Sequence, residues 1–279
     1  WINFLKSKWY EKKAPFILGV IVLCFLLWIR NQFKFDLISS PLDSLLILTS
    51  MSALISFPFW FISTRLRKAP EKKIGVMIAI KTESSEQYNK LKNDFIDSLH
   101  NQLNRNKREH TFKVIPLPEY HAQKVEDIDA ADEYLKKTNS RFAIYGKCRT
   151  RNINKEERHI VDIEGIVSHR PVSNEIGALL GKEFIDLFPK RKVLKDDCFE
   201  FESYSEEINF VAKYMVSIAC FVSFDFETSR VLLFSLNDDI YQKDQRNLSS
   251  VEEKIKQRLP IRLKEVLPEI AHKNYYLYC

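Results

Sequence analysis

Two apolar runs near the amino terminus constrain this chain more than any other feature in it. From Ala14 to Ile29 the sequence reads APFILGVIVLCFLLWI without a charge, and a second run from Leu42 to Thr64 carries one acid, Asp43, near its start. A helix needs about 20 apolar residues to cross about 30 Å of hydrocarbon. The second run is that long, and the first reaches it once Tyr10 and the aliphatic stems of the preceding lysines are counted. A transmembrane helical hairpin over 1–64 is therefore expected, with Pro58 at most kinking its second helix. A cleaved signal peptide fits less well, because the first run ends in Trp28 and Arg30 rather than in small residues, and a second run follows.

Basic residues set the expected orientation. Lys6, Lys8, Lys12 and Lys13 precede the runs and Arg65, Arg67, Lys68, Lys72 and Lys73 follow them, whereas the loop between holds only Arg30 and Lys34 against Asp36 and Asp43. Both ends are expected in the cytoplasm of a multi-pass protein of the inner membrane, with the lipid bilayer as a partner. All four tryptophans, Trp1, Trp9, Trp28 and Trp60, fall where an interfacial aromatic belt would place them. Ser44, Thr49, Ser52 and Ser56 give the second helix a small, weakly polar face, suited to close packing or, in a homo-oligomer, to lining a pore. The same flanking lysines and arginines carry much of the formal charge of +6, which argues against nucleic acid as a partner. Five dispersed cysteines with no CxxC pair argue against a disulfide framework or a zinc site and fit a reducing compartment.

A basic linker over 65–73 leads into an α/β domain over 74–190. IGVMIAI at 74–80 reads as a buried strand, and Tyr88, Leu91, Phe95, Leu99 and Leu103 recur at helical spacing after the capping residues Thr82 and Ser84. FKVIPL at 112–117 is a second strand and 128–138 a second helix. RFAIYGK and IVDIEGIVS are two further strands, and a helix over 175–188 is stopped by Pro189. The fold class is a membrane-anchored α+β protein: a two-helix hairpin, an α/β domain of β-α-β-α-β-β order, and a helical repeat segment over 205–279. That last segment breaks around Phe224 and Asp225, and again before Pro260 and Pro268; its apolar pattern runs on to Cys279, as if the chain continued.

IGVMIAI, FIDSLHNQL, FKVIPL and SRFAIYGKCR together resemble the amino-terminal α/β domain of the TolB family over about 74–170, a domain also found fused to helical repeats in membrane-tethered bacterial regulators. The resemblance implies an interaction module without catalytic residues. INFVAKYMVSIACFVSFDFETSRVLLFSLNDDI is similar to a tetratricopeptide helix pair, with small Ser217 and Ser229 at the close contact. It departs from that pattern in having Phe224 at the glycine of the turn and no large aromatic early in its first helix. The resemblance implies a protein partner bound through helical repeats.

Candidate chemistry is sparse. No glycine falls in GxxxxGK[ST] or GxGxxG, so nucleotide hydrolysis is not signalled and no cofactor is implied. Gly177 and Gly181 read as core packing in a helix. His159 and His169 bracket Asp162 and Glu164, but ten residues of strand put the two imidazoles about 33 Å apart, so they read as surface histidines rather than metal ligands. Cys148 between Lys147 and Arg149 has a basic setting that favours a thiolate, yet with no partner base it reads as structural. Arg141, Lys147, Arg149 and Arg151, with Lys155 and Arg158, form the densest positive run, which suits either an anionic small ligand or a solvated hairpin tip softened by Glu156 and Glu157. The expected function is a non-enzymatic, membrane-tethered sensor or scaffold. The alternative is an oligomeric effector of a bacterial defence system, gated by a nucleotide or protein signal and permeabilising the inner membrane. An enzyme would require a pocket gathering Asp162 and Glu164 with His159 or His169.

Overall fold

A computed structural model describes residues 14–33, 41–105, 112–188, 192–195, 198–243 and 248–278. The chain divides into two compact units, Trp1–Leu66 and Arg67–Cys279.

The first unit is a pair of helices, α1 (Ala14–Phe33) and α2 (Pro41–Thr64). Small residues let them approach: Ser52 and Ser56 are buried, the Ser52 hydroxyl donates to the Gly19 carbonyl at 2.5 Å, and Ser56 donates to the Ser52 carbonyl. Phe16 meets Phe57 edge to face at 5.6 Å. Of the residues expected on this face, Thr49 is exposed and the side chain of Ser44 lies outside the described residues.

The expected transmembrane character of the hairpin is overturned: among the described residues, no helix is long and apolar enough to cross a membrane. The inner-membrane, multi-pass placement and the membrane-anchored fold class fall with it. The permeabilising effector presupposes a crossing helix and loses its premise. What stands is an apolar helical hairpin and a mixed α/β unit built on a five-stranded sheet.

In the second unit the strands are β1 (Ile74–Lys81), β2 (Phe112–Pro116), β3 (Phe142–Ile153), β4 (Glu156–Val167) and β5 (Lys192–Lys195), in spatial order β2-β1-β3-β4-β5. β1 runs parallel to β2 and β3, while β4 is antiparallel to both β3 and β5. Between β1 and β2 the chain forms α3 (Ser85–Leu91), a π-helical turn over Lys92–Ile96, and α4 (Asp97–Leu103). Ser84 caps α3 by accepting from the Gln87 amide, as the capping pattern predicted. Between β2 and β3 lie α5 (Glu119–Ala122) and α6 (Ile128–Lys137), the latter capped by Asp127. β4 is followed by α7 (Asn174–Leu187), and after β5 come α8 (Cys198–Val222), α9 (Phe226–Gln242) and α10 (Ser250–Tyr278).

Strand alternation divides the sheet residues between two layers. Val76, Ile78 and Ile80 of β1, Phe142, Ile144 and Cys148 of β3, and Val161 and Ile163 of β4 share one core with Phe95, Leu99, Tyr204, Ile208 and Val211. The long apolar helix α8 therefore belongs to the same core as the sheet, and the helical segment does not stand apart from the α/β domain. On the opposite face, Met77, Ala79 and Ala143 are buried where α5 and α6 pack, with Leu117, Ala131 and Leu135. Two details differ from the sequence reading. α10 passes through Pro260 and Pro268 without ending, and β5, only four residues with lysine at both ends, has too little alternation to announce itself.

The turn between α8 and α9 is made by Phe224 in the left-handed region, φ 64°. Its ring is exposed, 6.0 Å from Phe226 and 5.9 Å beneath the Arg170 guanidinium. A side chain there costs about 1–2 kcal/mol that glycine would not. Phe224→Gly is therefore expected to be more stable than Phe224→Ala by about 1 kcal/mol, the reverse of the usual order, measured by urea denaturation of the two variants.

A candidate ligand-binding cleft at the ends of the parallel strands

Parallel strands leave a crevice beyond their carboxyl ends, and here its walls come from unequal strand lengths. β1 stops at Lys81, paired with Lys147, while β3 continues to Ile153. Past Lys147 the β3 edge loses its neighbour, and the Glu83 carboxylate takes over by accepting from the Thr150 amide at 2.9 Å. The result is a cleft of about 640 Å³ bounded by Lys81–Glu83, the Val125–Glu126 loop, Tyr145 to Arg151 on β3, and Asp162 and Glu164 on β4. Its floor is the sheet face that α6 leaves uncovered.

Much of the charge in the cleft is already paired. Lys81 meets Glu126 at 2.9 Å, Arg151 meets Glu83 at 3.5 Å, and the Tyr145 hydroxyl donates to Glu164 at 2.7 Å. Burial, reinforced by that hydrogen bond and by the charge of Glu164, pushes the Tyr145 phenol up, so it stays a neutral donor. Lys147 and Arg149 differ: they line the cleft from the same face of β3, and neither has an ion-pair partner among the described residues. Lys147 stands opposite Asp162 across the hairpin, and Arg149 opposite Ile160.

The structure thus brings together three of the four residues expected to hold a ligand, Lys147, Arg149 and Arg151, but not Arg141. Arg141 precedes the other end of β3, about 20 Å from Lys147 at strand rise, and its guanidinium meets Asp225 at 3.2 Å and the Cys220 sulfur at 3.2 Å. Burial alone would raise the Asp225 pKa, but hydrogen bonds from Thr228 and Arg141 hold it below the usual carboxylate range. Arg141 is thus a clamp between the sheet and the α8–α9 turn. Lys155 and Asn154, both at positive φ, make the two-residue hairpin tip, where Arg158 meets Glu156 at 3.0 Å.

His159 lies on the buried face of β4 against Phe201, ring centroids 5.6 Å apart, with its Nδ1 3.2 Å from the Thr150 hydroxyl. It is a core residue rather than a surface one, and it faces away from Asp162 and Glu164, an even number of positions being needed to share a face. Neither His159 nor His169 lines the cleft with Asp162 and Glu164. Among the described residues no three His, Cys, Asp or Glu side chains converge on a metal position. Gly177 and Gly181 do not serve tight packing: a Cβ at Gly181 would meet nothing within 4 Å, and one at Gly177 would make only an ordinary contact with Val172 at 3.7 Å.

Cys148 points into the core, away from the basic neighbours that sequence set beside it. Burial, with a smaller contribution from Glu83, pushes its thiol up to about 12; burial likewise pushes Cys220 up to about 11. Iodoacetamide at pH 8, mapped by mass spectrometry, is expected to label exposed Cys24 in the native protein and to reach Cys148 and Cys220 only after denaturation.

Sequence reasoning missed Lys81, Glu83, Tyr145 and Glu126 as parts of the site, because nothing in the linear order shows that β1 and β3 end side by side. Compared with known proteins, the chain matches no family model, no curated protein and no solved structure.

Proposed function

We propose that the protein is a non-enzymatic sensor or scaffold that takes an anionic small ligand in the cleft at the ends of β1 and β3 and meets a protein partner through its helices. The observation that carries this reading is the pair Lys147 and Arg149, two cations lining a 640 Å³ cleft with no ion-pair partner among the described residues. Placement beyond the carboxyl ends of parallel strands favours a ligand site, and two cations without an ion-pair partner disfavour ligands carrying positive charge. The resemblances to the TolB amino-terminal domain and to a tetratricopeptide pair, both binding folds, point the same way. The exposed apolar side chains of the hairpin, among them Phe16, Phe25, Trp28, Leu54 and Phe61, favour a homo-oligomer.

Titration calorimetry with a panel of nucleoside mono- and diphosphates and inorganic pyrophosphate tests it. At least one is expected to bind, with affinity falling as salt rises and dropping tenfold or more in Lys147→Ala/Arg149→Ala. Absence of binding across the panel, or binding unchanged in the double variant, would sink the proposal.

A further inference from the structure

Helix α7 is held to its unit more by charge than by burial. Of its 14 residues only Leu180 and Leu187 are buried, while Ile176, Leu179 and Ile185 are exposed. Gly177 and Gly181 weaken it further, because glycine is a poor helix former and neither position needs one for close packing. A helix of about 12–15 residues is marginal alone in water even when rich in alanine. This one depends on what it is tied to.

The tie is to α10. Glu183 accepts hydrogen bonds from the Arg262 guanidinium at 2.5 Å and from the hydroxyl of buried Tyr214. Nearly one turn on, Asp186 meets Lys254 at 2.9 Å and Arg258 at 2.6 Å, and hydrogen bonds from both hold its carboxyl below the usual carboxylate range. Lys254 also donates to the Asp186 carbonyl at 3.0 Å and Arg258 to the Glu183 carbonyl at 3.3 Å, at the end of α7 where the helix dipole favours positive charge. Lys254, Arg258 and Arg262 follow one another at four-residue spacing, so one stripe of α10 carries all three cations and one stripe of α7 carries both acids. A lone exposed ion pair contributes little, but these five charges form a network whose centre is shielded, the Glu183 and Arg262 side chains being 12% and 18% exposed.

Just past the network the chain is pinned by apolar contact instead. Phe188 is buried beside Phe142, ring centroids 6.3 Å apart, and lies so close to Gly165 that a Cβ there would fall 2.4 Å from its ring. Salt screens the network and leaves this anchor in place.

We propose that α7 is a hinged flap, latched to α10 through Glu183 and Asp186, that lifts about Phe188 as ionic strength rises while the sheet stays folded. Opening releases the Tyr214 hydroxyl and uncovers the seat of Leu180 in the core. The latch shares no residue with the cleft at the ends of β1 and β3, so neither proposal depends on the other.

Hydrogen–deuterium exchange of the full chain, read by mass spectrometry in about 0.01 M and about 1 M sodium chloride, tests it, because the screening length falls from roughly 30 Å to 3 Å between them. Amides over 176–187 are expected to exchange at least tenfold faster at high salt, with β1 and β3 unchanged. Glu183→Gln/Asp186→Asn is expected to exchange fast over the same stretch at low salt and to lose the salt response. Lys254→Gln/Arg258→Gln, which leaves the shielded Glu183 intact, is expected to do the same severalfold and serves where the first variant does not fold. Protection of α7 that salt does not change, α7 and the sheet opening together, or a folded variant as protected as the parent would each overturn the latch.

Discussion

Gly146→Ala is expected to lower folding stability by about 3–5 kcal/mol and to weaken ligand binding in the cleft at the same time. Gly146 sits in β3 between Ile80 of β1 and Ile163 of β4 with φ +150°, a backbone state that side chains rarely adopt. A Cβ there would run into the Asp162 carbonyl oxygen, and the Ile163 Cα would lie 2.8 Å away. Both obstacles are backbone atoms of a paired strand, so no side chain can swing aside. Strain at such a position costs about 1–3 kcal/mol and forcing atoms into a filled space a further 1–3 kcal/mol or so. For a unit of this size the loss corresponds to a fall in melting temperature of roughly 10 °C. The neighbours that must move, Tyr145, Lys147 and Asp162, are walls of the cleft, which is why affinity falls with stability. Gly181→Ala is the control: the position is helical and open, and alanine there is expected to stabilise by about 0.5–1 kcal/mol. Denaturant unfolding of the two variants checks both signs, and an unimpaired Gly146→Ala would mean that β3 and β4 are not paired in this register.

Asp239→Ala is the second large effect, expected at about 3–5 kcal/mol of destabilisation. Its partner Lys213 exposes 4% of its side chain, and the 2.7 Å contact is what makes that burial tolerable. Removing only the carboxylate strands a buried ammonium, which is costly, whereas replacing both members by apolar residues removes the charges along with the contact. Lys213→Met/Asp239→Leu is therefore expected to recover most of the loss. Urea denaturation of the single and double variants measures the coupling, and a double variant no better than Asp239→Ala would show that the pair is not what holds α8 to α9.

The local elements were legible because each rests on nearest-neighbour chemistry. Ser84 caps the helix it precedes, Tyr88 to Leu103 carry a helical period, and IGVMIAI has the apolar continuity of a strand buried on both faces. The two apolar runs were also correctly read as helices, but the membrane crossing inferred from them is overturned, no helix among the described residues being long and apolar enough. Periodicity reports which residues avoid water and says nothing of what covers them.

The sequence by itself determined the order and type of most elements, the break at Phe224, and the concentration of positive charge between Lys147 and Arg158. Only the tertiary structure decided which of those charges meet. Arg141 and Lys147 stand on one strand yet serve opposite ends of it, one clamped to Asp225 and the other lining the cleft. His159 and Asp162 are three residues apart and on opposite faces of the sheet. Glu183 and Arg262, unremarkable in sequence and 79 positions apart, come together because α10 returns to pack beside α7. An arrangement of this kind depends on long-range pairing of strands and docking of helices, and those contacts are set by the whole core rather than by any local run of residues.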